Sequence, residues 1–178
     1  MRRLILTLCL LAGLGACASN GELVAAKPVA VKTLLSMNKG KPFECVNYDE
    51  ATDSCEAINR IRVRSDRIYF STDFLLVGPV GETVRATIDS DFTLADGGYC
   101  GSLKGSRVRF DGNLTPAEQQ AFREITGVVM SMTGEFCDRY FIDEFGRTFS
   151  ISFDEEGQAR RDSLSFITFH RTAKRLRL

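Results

Sequence analysis

Apolar and polar positions alternate with period two over much of this chain. Ile61 and Val63 alternate with Arg62 and Arg64, and Phe149, Ile151 and Phe153 alternate with Ser150 and Ser152. That is the pattern of a strand with one buried and one wet face. Strands are expected over 43–48, 58–64, 67–70, 74–77, 83–88, 107–110, 136–143, 148–153 and 163–170. Polar or glycine-bearing runs punctuate them: 49–54, Gly78-Pro79-Val80-Gly81, Asp96-Gly97-Gly98, Glu144-Phe145-Gly146-Arg147 and Asp154-Glu155-Glu156-Gly157. One helix is signalled strongly. Thr115-Pro116-Ala117-Glu118 supplies an N-cap, a proline at the first helical position and a capping-box glutamate. Phe122, Ile125, Val129 and Met132 then recur at helical spacing, which predicts a helix over 116–132 with Phe122, Ile125 and Val129 turned to the sheet. Residues 28–37 read two ways: Val29, Val31 and Thr33 alternate like a strand, while Leu34, Leu35 and Met37 fit a short helix. The order of elements predicts an α+β fold, an antiparallel sheet with one main amphipathic helix packed on one face.

A different pattern opens the chain. Met1-Arg2-Arg3 precedes an apolar run from Leu4 to Leu14, closed by Leu14-Gly15-Ala16-Cys17. Basic start, short apolar core and small residues are the layout of a secretory signal peptide, and the run is shorter than the ~20 residues of a spanning helix. Leu14-Gly15-Ala16-Cys17 resembles the lipobox of bacterial lipoproteins. The resemblance implies cleavage before Cys17, diacylglycerol on its thiol and acylation of the freed amine, so that the chain is anchored to a membrane without crossing it. An aspartate after the cysteine favours inner-membrane retention in such proteins. Ala18 and Ser19 follow here, which implies the periplasmic face of the outer membrane.

The expected organisation is a signal peptide over 1–16, a lipidated N-terminus and tether over 17–42, one disulfide-tied α+β domain over 43–170 and a basic tail over 171–178. Loss of Arg2 and Arg3 turns the balance of 23 basic and 23 acidic residues into a net charge of −2. A near-neutral body argues against nucleic acid as partner, which requires a strongly basic face. Once Cys9 has left and Cys17 is acylated, Cys45, Cys55, Cys100 and Cys137 remain. An even set in an oxidising compartment reads as two disulfides. Three pairings are open; the most local, Cys45 with Cys55 and Cys100 with Cys137, is the expectation. No C-x-x-C pair favours zinc.

Candidate chemistry is sparse. His170 is the sole histidine and reads as an edge residue; a dyad with Cys137 would need a free thiol. The carboxylates at 49–53, 143–144 and 154–156 match no calcium-loop pattern and read as solvated turn residues. The glycines around Tyr99 lack the order of a phosphate loop and read as a disulfide-tied loop. Arg171, Lys174, Arg175 and Arg177 crowd the C-terminus, where contact with anionic phospholipid would reinforce a lipid anchor. The expectation is a non-catalytic, membrane-anchored binding or envelope accessory module, with no metal, no cofactor and either an envelope protein or the envelope itself as its partner. The alternatives are a lipid-anchored hydrolase using carboxylates and an inhibitor of a secreted hydrolase.

Overall fold

The computed structural model describes residues 26–178 apart from Pro79, Val80 and Asp96. The signal peptide, Cys17, the start of the tether and parts of two expected turns therefore lie outside the described residues. In chain order the elements begin with β1 (Lys27–Val29), α1 (Val31–Met37), β2 (Phe43–Val46), β3 (Ser54–Cys55), β4 (Ala57–Arg64), β5 (Arg67–Val77) and β6 (Thr83–Ala95). They continue with β7 (Gly98–Ser102), β8 (Arg107–Phe110), α2 (Pro116–Met132), β9 (Glu135–Ile142), β10 (Thr148–Phe153), β11 (Ser165–His170) and β12 (Arg175–Leu176).

Strands β2, β4, β5, β6, β7, β9, β10 and β11 pair antiparallel in that order, and β11 returns to β2. The result is a closed, eight-stranded up-and-down barrel. This corrects the expected α+β fold. A sheet that closes on itself buries its own inner face and leaves no edge, so it needs no covering helix. Two signals concealed the closure. The polar runs Ser71-Thr72-Asp73 and Asp89-Ser90-Asp91 look like breaks, yet β5 and β6 pass straight through them, because Asp73 finds cationic partners on the outer wall. Gly98 and Gly101 look like turn residues but belong to β7. A side chain at Gly98 would lie 1.8 Å from the Asp138 carbonyl oxygen, and one at Gly101 would meet Phe92 at 2.9 Å. Glycine is what lets β7 close against β9 and over the core.

Helix α2 spans the expected residues with the expected capping box. Its packing differs. Phe122 and Thr126 are buried, Phe122 lying against Phe110 of β8 with ring centroids 5.5 Å apart. Ile125, Val128, Val129 and Met132 remain exposed. The helix leans on β8, a strand paired outboard of β6, rather than across the barrel sheet. The folded body also reaches back ahead of Phe43. β1 pairs with β9, and Val31 and Leu34 of α1 enter the core with Ile68, Phe70, Phe92, Tyr99, Tyr140 and Ile167. Eight strands give a narrow lumen, and these side chains pack together within it.

The face assignment of β10 is the reverse of its apolar pattern. Register places Ser150 opposite Tyr140 and Ser152 opposite Asp138, so the serines point inward. Phe149 and Ile151 face out and are nonetheless buried. Phe149 stacks on Phe141 at 5.4 Å and meets Phe166 at 6.5 Å. Period two says that two faces differ; it does not say which one is inside.

Candidate functional site

Both disulfides take the expected pairing, Cys45–Cys55 and Cys100–Cys137. Cys100 and Cys137 are register partners on β7 and β9, with Cα atoms 4.0 Å apart. They staple the seam where the chain leaves the barrel to form β8 and α2. Cys45–Cys55 sits outside the barrel with Ile58, Phe43, Tyr48 and Leu176. The C-terminal residues dock on this outer cluster. β12 runs parallel to β3, Lys174 Nζ lies 2.7 Å from Asp53, and Arg177 lies 3.1 Å from Glu56. Arg175 donates to the Thr52 carbonyl, and Arg171 is exposed. His170 packs its ring 4.7 Å from Tyr48, and Cys137 carries no thiol. The structure therefore does not assemble the Cys137–His170 dyad.

Among the turn carboxylates, Asp49 accepts from the Ala51 amide and the Thr52 hydroxyl, and Asp143 from Arg147. They tie their own turns together. Among the described residues no three metal-ligating side chains converge.

Two polar clusters that the sequence does not announce stand out instead. The first lies inside the barrel. Glu44 on β2 is 1% exposed, and it accepts hydrogen bonds from Asn59 Nδ2 at 2.7 Å and from the Tyr140 hydroxyl at 3.0 Å. Burial pushes its carboxyl up to about 7, against the pull of those two bonds, and the nearby charge of Asp138 adds to the rise. Asp138 on β9 accepts from the Tyr99 hydroxyl at 2.7 Å and is likewise raised, chiefly by burial. Its Oδ1 and the Asn59 Oδ1 are buried without a hydrogen-bond partner. Tyr99 and Tyr140 are held well above the ordinary phenol range by the same desolvation. Chemically this is a desolvated, hydrogen-bonded pair of carboxyl groups between aromatic rings, both holding their protons more tightly than exposed acids do. A hydrolase would need paired carboxylates in a cleft open to substrate.

The second cluster lies on the outer wall of β4, β5, β6 and β8. Register sets Arg60, Ser71, Asp89 and Arg107 in one cross-strand row, with Arg62, Tyr69 and Asp91 in the next. The row on the other side holds Ile58, Asp73, Thr87 and Arg109. Ser71 is short and its row neighbours are long, so the wall is concave there. The first two rows, with Arg109 and with Gly105 and Ser106 of the β7–β8 turn, line a groove of about 710 Å³. At its margin Asp73, 2% exposed, accepts from Arg60 at 2.9 Å, Arg85 at 2.6 Å and Thr87 at 2.8 Å. Burial works to raise this carboxyl, but the hydrogen bonds of Thr87 and Arg85 and the charges of Arg60 and Arg85 outweigh it and hold it below its ordinary value. The signal for this wall was present as Arg60-Ile61-Arg62-Val63-Arg64 and Arg107-Val108-Arg109. Only the register reveals that both runs face the same groove.

No family model, no curated protein and no solved structure matches this chain, so its own residues carry the functional argument.

Proposed function

We propose that the protein is a lipid-anchored, non-catalytic binding module of the cell envelope, held through Cys17 at the periplasmic face of the outer membrane and binding its partner on the outer wall of its barrel. The observation that carries this reading is the arginine-lined groove over Ser71, on the outside of a barrel with a hydrophobic cluster packed within it. Ligand sites are concave, with a few placed polar groups, and a cavity of this size falls within their usual range. The buried cluster of Ile68, Phe70, Phe92, Tyr99 and Tyr140 inside the barrel favours the wall over the lumen. Two disulfides suit an oxidising compartment, and the lipobox-like Leu14-Gly15-Ala16-Cys17 supplies the anchor. The buried position of Glu44 and the aromatic surroundings of Asp138 weigh against a carboxylate hydrolase working from the lumen.

Two measurements in cells test this. Labelled palmitate should enter the wild-type chain and not Cys17→Ser; labelling that persisted in the variant would contradict the anchor. A photocrosslinking residue at Ser71 should yield an adduct of defined mass that the same probe at Glu156, on an exposed turn, does not. Equal adducts from both positions would contradict binding on the groove wall.

A further inference from the structure

Arg62 and Arg107 are exposed, and no carboxylate lies within 4.0 Å of either among the described residues, although the other arginines of the groove are engaged. Arg60 is held by Asp73, and Arg109 lies 2.9 Å from Asp89. The outward positions of β4, β5, β6 and β8 carry Arg60, Arg62, Arg64, Arg67, Arg85, Arg107 and Arg109 against Asp73, Asp89 and Asp91. On a chain with a formal net charge of zero, that is a local excess of positive charge. All of these cations are arginines, whose planar fork matches carboxylate, sulfate and phosphate groups in a bidentate way.

The floor adds a second chemistry. Tyr69, 38% exposed, lies in the groove between Arg62 and Asp91. An exposed aromatic face beside polar groups suits a flat, partly apolar ring that also carries hydroxyls. Asp89, paired with Arg109, and Asp91, paired with Arg67, stand in the same groove, and each carboxylate keeps lone pairs that can accept further hydrogen bonds. A bare polyanion, such as a nucleic-acid backbone, offers these carboxylates no donors and is repelled by them. A sugar ring with hydroxyls satisfies them.

Resting on the reading of the outer wall as the binding face, we propose that this groove binds an acidic saccharide. Arg62 and Arg107 take its anionic substituents, the Tyr69 ring lies against a pyranose face, and Asp89, Asp91 and Ser71 meet its hydroxyls. Strand spacing of about 4.8 Å puts the Arg60 and Arg107 backbones roughly 14 Å apart, which spans two to three sugar units rather than one isolated ion.

Calorimetric titration of the purified full chain tests this with four probes: tetragalacturonate, a heparin tetrasaccharide, maltotetraose and inorganic phosphate. One or both anionic tetrasaccharides should bind, with carboxylate and sulfate recognition told apart by which one does, and maltotetraose and phosphate should not bind at about 1 mM. The double variant Arg62→Gln/Arg107→Gln should weaken binding by about tenfold or more, the loss expected from removing charge-assisted hydrogen bonds. Tyr69→Ala should weaken it severalfold, and Arg64→Gln, on the same wall but outside the groove, should leave it unchanged. Arg62, Arg64 and Arg107 have no ion pair among the described residues, so their variants should melt with the wild type. The proposal is overturned if neither anionic saccharide binds, if inorganic phosphate binds as well as they do, or if Tyr69→Ala binds them undiminished. A Ser71 adduct that persists in cells while both saccharides fail would remove the ligand class and leave the binding face standing. Loss of both would remove the two together.

Discussion

Glu44 and Asp73 are two carboxylates with nearly equal exposure, 1% and 2%, and their affinities for a proton move in opposite directions. Glu44 faces the lumen, where its partners are the neutral Asn59 and Tyr140, so desolvation prevails and the acid holds its proton to about 7. Asp73 faces outward between Arg60 and Arg85, and their hydrogen bonds and charge keep it ionised below its ordinary range. Low solvent exposure alone therefore does not decide the chemistry of a carboxylate; its depth in the fold and the charge of its neighbours do. The same contrast divides the molecule. The lumen is desolvated and rich in packed rings, whereas the wall is ionic and concave, and it is on the wall that we propose binding.

The largest effect should come from opening the lumen. Replacing Cys100 and Cys137 together by serine releases the β7–β9 seam, and loop closure over 37 residues implies a loss of about 4 kcal/mol in denaturant unfolding. A loss below about 1 kcal/mol would mean that strand pairing alone holds the seam. Next comes the wall. Asp73→Ala leaves Arg60, Arg85 and Thr87 without their shared acceptor, and at pH 7 it should cost about 3 kcal/mol, the lower end for breaking a buried ion pair because both arginines reach solvent.

The two acids should also pull stability in opposite directions with pH. Glu44 has its folded pKa raised, so its contribution is fully present below the unfolded value of 4.5 and is lost as pH rises towards 7. A shift of this size corresponds to at most about 3 kcal/mol. Glu44→Gln should remove that slope, and the difference between wild type and variant in urea midpoints from pH 4 to 8 measures it. Asp73 has its folded pKa lowered, so its contribution is present above 3.8 and is lost as pH falls through the folded value. A variant that flattened neither limb would contradict the contrast. The smallest effect belongs to the groove: Arg62→Gln should change stability by less than about 0.5 kcal/mol, as expected of an exposed side chain without an ion pair.

How far the sequence revealed this structure depends on the range of each signal. Helix α2 was legible to the residue because Thr115, Pro116 and Glu118 act locally, through one capping turn. Its buried face was not, because exposure of Ile125 and Val129 depends on where β8 lies, and β8 is fixed by register with β6. The most local disulfide pairing was legible through spacing and compartment. Barrel closure was not, since β11 meets β2 across more than a hundred residues and no local pattern encodes that meeting. Phe149 and Ile151 misled for a related reason: their alternation with serine is genuine, but both are buried on the outside, Phe149 through aromatic packing against Phe141 and Phe166. Glu44, Asp138 and the groove arginines become sites only when distant strands align.

The most direct test of this account is a carbon-13 NMR titration that follows the side-chain carboxyl carbons of Glu44 and Asp73 in one sample of the wild-type chain. Glu44 should titrate near 7 and Asp73 below 3.8, the two resonances crossing their midpoints on opposite sides of the ordinary carboxylate range. A Glu44 midpoint near 4.5 would contradict the account, because it would mean that water reaches the lumen and that the division between a desolvated interior and a charged wall does not hold.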